Sequence, residues 1–183
     1  MTVNSFLEEL GVEEENYLDE GNHHKVYKTN DAVLKTPKPG NNITYREARE
    51  IKERFEELEI PTPPTTVRNY SGEDFIVIQP HAPEKVDASH IPEMVEIMDK
   101  AAGQGYALDT RIENFGVFNG EVYFLDNTDN VSISSNRQVE SQYDKLIGKL
   151  LGNTPLNNLE AMKEVKKHSE VLPDNYSYDS MKF

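Results

Sequence analysis

Cysteine and tryptophan are both absent from the 183 residues. Without thiols there is no disulfide framework, no thiolate nucleophile and no zinc–thiolate site. Basic side chains are scarce: 19 Lys and Arg stand against 33 Asp and Glu, giving a formal net charge of −14 and an isoelectric point near 4.7. Phosphate backbones are held by clustered Lys and Arg, so this balance argues against a nucleic-acid partner. Long hydrophobic runs are missing too. No stretch approaches the ~18 apolar residues of a membrane span. Residues 1–10 carry neither a basic leader region nor an apolar one, so the expectation is a soluble, cytoplasmic protein with no membrane partner. The acidic excess fits disorder, an acidic binding face or a halophilic surface, where carboxylates hold water and salt screens their repulsion. Ordered patterning along the chain argues against disorder.

Apolar residues at Val3, Phe6, Leu7 and Leu10 have helical spacing, with Gly11 as a stop. Short strands are expected at 17–18, 25–28 and 32–35, separated by Glu20-Gly21-Asn22 and Thr29-Asn30-Asp31. Beyond Pro37, Pro39 and Gly40, the residues Tyr45, Ala48, Ile51, Phe55 and Leu58 predict a helix over 44–58, which Pro61, Pro63 and Pro64 end. Segments 65–67 and 75–78 then flank Asn69-Tyr70-Ser71-Gly72 as a hairpin. Another helix is expected over 91–102, stopped by Gly103 and Gly105. The apolar runs 115–118 and 121–125 enclose Asn119-Gly120, the dipeptide that most strongly signals a two-residue hairpin. Helices over 138–151 and 156–169 and a loosely held tail over 172–183 complete the chain.

Polar residues that a plain hairpin does not need bracket Asn119-Gly120. Asp109 and Asn114 precede it, five positions apart, and Asp126 follows Asn114 by twelve. A tight hairpin returns the chain to its starting level, which brings Asn114 and Asp126 together as an amide oxygen and a carboxylate for one hard cation of the Mg²⁺ type. Asp109, on the approach loop, is then placed to accept a proton from an incoming hydroxyl.

These residues resemble the protein-kinase-like superfamily. The segment Asp109-Thr110-Arg111-Ile112-Glu113-Asn114 is similar to its catalytic loop, with Asp109 as base and Asn114 as metal ligand, and Asp126 to its second metal-binding Asp. Upstream, Ala32-Val33-Leu34-Lys35 resembles the strand with the phosphate-binding Lys. The segment from Gly21 through Val26 to Lys28 resembles the latter half of the glycine-rich loop. The order along the chain agrees, over residues 17 to 130. The resemblance implies an α+β, reduced two-lobed kinase-like fold in a single domain 1–183: an antiparallel N-lobe sheet over 1–80 and an abbreviated helical C-lobe over 81–171. It implies ATP and Mg²⁺ as cofactors, with Gly21, Val26, Lys35 and Glu47 (or Glu50, as the partner of Lys35) on the nucleotide side. Asn114 and Asp126 then hold the metal, Asp109 acts as the base, and Arg111 offsets charge on the moving phosphoryl group.

The sequence departs from the family in specific places. Ala107 stands where the usual His precedes the base, Asp126-Asn127-Thr128 lacks the usual Phe and Gly, and Gly21 alone remains of three loop glycines. The segment between Asp126 and the next helix is too short for an ordinary activation segment. With Arg111 two residues after Asp109, where Ser/Thr kinases carry a cation, the resemblance implies a Ser/Thr protein kinase. Its partner is a protein substrate, including the chain's own Ser132-Ile133-Ser134-Ser135, because few residues remain to wall off a small acceptor. The rival readings are a small-molecule (aminoglycoside or sugar-type) kinase and a pseudokinase that binds without turnover. Adjacent His23 and His24 point to opposite faces of a strand and make no ligand pair.

Overall fold

In the computed structural model the described residues are 3–13, 16–20, 24–40, 43–71, 74–82, 84–128, 132–133, 136–150, 155–173 and 176. Two compact units share them. One comprises Met1–Glu56, Thr62–Ala82 and Asn127–Asn130; the other comprises Glu57–Pro61, Pro83–Asp126 and Val131–Phe183.

The first unit is an antiparallel five-stranded sheet with two helices. Helix α1 (Val3–Glu9) precedes β1 (Tyr17–Glu20), β2 (His24–Lys28) and β3 (Ala32–Pro37). Helix α2 (Tyr45–Glu57) then leads to β4 (Thr66–Ser71) and β5 (Asp74–Pro80), and the strand order is β1-β2-β3-β5-β4. Successive side chains of a strand face opposite ways, so the apolar run Phe75-Ile76-Val77 needs cover on both sides of the sheet. It has both. Ile76 packs with Leu34 and with Val3 and Leu7 of α1, while Phe75 and Val77 pack with Ile43 and with Ala48 of α2. Directly opposed residues share a face, so the rung Val26–Lys35–Val77 lies on the α2 side. His24 is buried with its ring edge-on to Phe75, a packing role.

One hairpin differs from expectation. Residues 69–71 belong to β4, with Asn69 opposite Phe75 and Ser71 opposite Asp74, so the strand runs on through the stretch expected to turn. Sheet pairing with β5 outweighs the turn preference of an Asn-Tyr-Ser-Gly stretch.

In the second unit α3 (Ile91–Gly103) buries Ile91, Met94, Val95, Ile97, Met98 and Ala101. The strand β6 (Tyr106–Ala107) follows, then a 3₁₀ turn over Ile112–Asn114, then the hairpin β7 (Phe115–Phe118) and β8 (Glu121–Phe124). The strand β9 (Ser132–Ile133) returns to pair with β6, and α4 (Asn136–Leu150) and α5 (Pro155–His168) close the unit, α5 packing against both α3 and α4. Asn119 and Gly120 have φ of 54° and 81°, the left-handed pair that a two-residue turn between Phe118 and Glu121 requires. A loosely held tail over 172–183 does not describe Tyr176. It is buried, its hydroxyl donates to Asp144 Oδ1 at 2.6 Å, and its carbonyl accepts from Lys166 Nζ at 3.1 Å. No described helix is long and apolar enough to cross a membrane.

Candidate functional site

The hairpin built on Asn119-Gly120 sets the site's geometry within the second unit. Its register pairs Phe115 with Phe124, and one step further the Leu125 N–H donates to the Asn114 carbonyl at 2.7 Å. Asp126, the next residue, thus stands beside the end of the 3₁₀ turn that carries Asn114. The Asn114 amide nitrogen donates to the Asp109 carbonyl at 2.8 Å, and the amide oxygen is the end of that side chain that can ligate a cation. The hairpin and this one side-chain bond bring Asp109, Asn114 and Asp126 into one loop cluster.

Arg111 Nε donates to Asp109 Oδ2 at 2.8 Å, and both side chains remain 40% exposed. Arg111 therefore sits on the candidate base itself, with Glu113 4.0 Å from its guanidinium. An ion pair this exposed adds little to stability, so its effect is orientation of the carboxylate.

The loop around Asp109 is fastened from α4. Gln142 Oε1 accepts from the Leu108 N–H at 2.9 Å, and the Thr110 hydroxyl donates to the Gln142 carbonyl at 2.8 Å. One residue thus clamps both neighbours of Asp109. Sequence reading missed Gln142, although a signal existed: it falls in the apolar stripe Val139, Tyr143, Leu146, Ile147 of an amphipathic helix, where a polar side chain needs a buried partner.

Asn127 was also missed. It is 1% exposed and belongs to the first unit, where its Oδ1 accepts from Gln79 Nε2 at 2.6 Å and its Nδ2 donates to Thr65 Oγ1 at 2.9 Å. The Thr65 hydroxyl in turn donates to the Pro63 carbonyl at 2.8 Å and accepts from Gln79 Nε2 at 3.1 Å. The residue that follows Asp126 is therefore held by the Gln79 amide and the Thr65 hydroxyl.

On the nucleotide side expected from the sequence, Val26 and Lys35 are cross-strand partners in β2 and β3. Glu47 has a local role that sequence reading did not assign. Its carboxylate accepts from both the N–H and the hydroxyl of Thr44 at 2.8 Å, while the Glu47 N–H donates back to Thr44 Oγ1. This reciprocal capping box starts α2, and the hydrogen bonds from Thr44 hold the Glu47 carboxyl below its ordinary range. Glu50 pairs with Arg46 on the exposed face. Both glutamates of the first turn of α2 thus have local partners, Thr44 for one and Arg46 for the other. Gly21 and the segment Ser134-Ser135 lie outside the described residues.

The donors at Asn114 and Asp126 are hard oxygens, which suit Mg²⁺. Among the described residues no group of three or more His, Asp and Glu is placed to hold a metal by itself. A two-ligand protein site is the pattern for Mg²⁺ that also binds substrate phosphates and water.

No protein-family profile and no curated protein matches the sequence. The solved structure of the choline kinase LicA from Streptococcus pneumoniae superposes on 98% of this chain and 82% of its own, with a TM-score of 0.62 at 12% identity. The fold is protein-kinase-like. The Legionella pneumophila kinase Lpg2603, solved bound to IP6, aligns over 83% of this chain and 60% of its own, with a TM-score of 0.46 at 16% identity. On this kinase-like fold, the Asp109–Asn114 loop follows β6 and the β7–β8 hairpin separates it from Asp126.

Proposed function

We propose that the chain is a phosphotransferase that uses ATP and Mg²⁺ to phosphorylate a hydroxyl group. One observation supports the reading: the hairpin bond from Leu125 to Asn114 and the Asn114–Asp109 bond tie together the loop that carries Asp109, Asn114 and Asp126, on a kinase-like fold. Asn114 and Asp126 hold Mg²⁺, which offsets charge on the phosphates. Lys35 steadies the α- and β-phosphates. Asp109 takes the proton of the acceptor hydroxyl as its oxygen bonds to the γ-phosphorus and the bridging P–O bond breaks, releasing ADP. Arg111 orients the Asp109 carboxylate and contributes positive charge beside the moving phosphoryl group.

For the acceptor, protein Ser or Thr hydroxyls remain the first reading, because Arg111, two residues after Asp109 and bonded to its carboxylate, stands where the resemblance to Ser/Thr kinases puts a cation beside the transferring phosphate. A specific observation favours a second one. This chain spans 82% of a choline kinase, so a fold of nearly this size accommodates a small alcohol elsewhere. The deciding experiment incubates the protein with γ-labelled ATP, Mg²⁺ and either protein substrates or a panel of small alcohols. Label on protein supports the first reading, and label on an alcohol alone supports the second. Absence of ATP turnover, with or without Mg²⁺, refutes phosphotransfer and leaves the pseudokinase. Lys35→Met and Asp126→Asn should each remove turnover while the fold persists.

A further inference from the structure

Three consecutive residues of α4 are buried polar groups: Gln142 at 4% exposure, Tyr143 at 0% and Asp144 at 2%. Successive side chains leave a helix about 100° apart, so the three address different neighbours. Gln142 holds Leu108 and Thr110, on either side of Asp109. The Tyr143 hydroxyl donates to Asp99 of α3, which also accepts from the Ser169 hydroxyl at 2.8 Å and from the Glu170 N–H beyond the end of α5. Asp144 accepts from the Tyr176 hydroxyl. Buried polar groups must keep their partners. A slide or rotation of α4 would therefore break contacts on every side at once.

We propose that Tyr176 is a positioning residue for Asp109, acting through α4. The tail residue has anchors off α4: its N–H donates to the Pro173 carbonyl at 2.9 Å and its own carbonyl accepts from Lys166 of α5. Its hydroxyl then pins Asp144. Two residues earlier on the helix, Gln142 transmits that placement to the backbone on both sides of the base. A strap across α4 thus sets how firmly the Asp109 loop is held. Only the activity readout rests on the phosphotransfer reading; the structural readout does not.

The test is Tyr176→Phe, which keeps the ring and removes the hydroxyl, followed by amide hydrogen exchange and steady-state kinetics. Exchange at the Leu108 amide should quicken about tenfold while the Met98 amide in α3 is unchanged, which separates local release from global opening. Turnover at saturating ATP should fall about tenfold with KM for ATP unmoved, since the base is misplaced and nucleotide binding is not. Gln142→Ala should reproduce both effects, and the double variant should be no worse than the worse single one. Unchanged Leu108 exchange in Tyr176→Phe overturns the proposal, as does unaltered turnover in an active enzyme or losses that multiply in the double variant. If Tyr176→Phe does not fold, Lys166→Met loosens the same segment and carries the same readouts. Wild-type protein without ATP turnover refutes the phosphotransfer reading, and the exchange measurement still decides the strap.

Discussion

Replacing Asn127 by Ala isolates the network that holds the residue after Asp126. Two hydrogen bonds disappear, the one from Gln79 Nε2 and the one to Thr65 Oγ1. At a net ~1 kcal/mol each, the loss is about 2 kcal/mol. Gln79 Nε2 still reaches Thr65 Oγ1 at 3.1 Å, so no buried donor is fully orphaned and the larger desolvation penalty does not apply. For a chain of this size that corresponds to a fall of roughly 4–8 °C in melting temperature. Asn127→Asp tests the same site by charge. A carboxylate there still accepts from Gln79 but cannot donate to Thr65, and burial raises its pKa above the unfolded value of about 4. A group whose folded pKa is raised in this way destabilises the protein progressively as pH rises through and above the unfolded value. Thermal melts of the wild type and both variants at acid and neutral pH check both numbers. The reasoning is refuted if Asn127→Ala melts within about 1 °C of the wild type, or if the Asn127→Asp deficit does not widen with pH.

Thr44→Ala should cost about 1 kcal/mol in denaturant unfolding, because it removes the hydroxyl that caps the Glu47 N–H and donates to its carboxylate, while the backbone half of the capping box stays. The Glu47 carboxyl is held below its ordinary 4.5 by Thr44, so its contribution is present above that pH and lost as pH falls through the depressed folded value. The stability gap between wild type and Glu47→Ala should therefore close on acidification. At Gly120, φ is 81° and no atom would crowd an added Cβ. Gly120→Ala should lower stability by about 1–2 kcal/mol from backbone strain alone, whereas Asn119→Gly should be near neutral. With 33 acidic against 19 basic residues, the melting temperature should rise from dilute buffer to molar KCl as repulsion is screened; a flat or falling curve counts against an electrostatic origin.

The parts of this fold that were legible in the sequence are those written in local periodicity and turn chemistry. Asn119-Gly120 demands left-handed backbone and so announces the hairpin. The spacing of Ala48 and Phe55 announces α2, and the five-position gap from Asp109 to Asn114 becomes meaningful once the hairpin brings Asp126 back beside it. What was not legible depends on partners distant in sequence. Gln142 reads as one more polar helix residue until Leu108 and Thr110 are seen beside it, 34 and 32 positions away. Asn127 reads as a turn residue until Gln79 meets it. Glu47 has a nearer partner that went unread: Thr44, three residues back, forms a capping box with it. The β4–β5 turn was misplaced because pairing with β5 extends a strand through residues that prefer turns.

The two compact units are interleaved along the chain: Glu57–Pro61 lies within the stretch that builds the first unit yet belongs to the second, and Asn127–Asn130 does the reverse. Glu59 and Pro61 are held in the second unit by Lys100 and by the Phe124 N–H. In biosynthesis, then, neither unit can be completed in order of emergence. The sheet is fully translated once Pro80 has left the ribosome, but the amide that satisfies Gln79 is 48 residues further on. A fragment ending at residue 82 should remain a loosened, aggregation-prone sheet, and a nascent chain should gain protease resistance only after residue 127 is exposed.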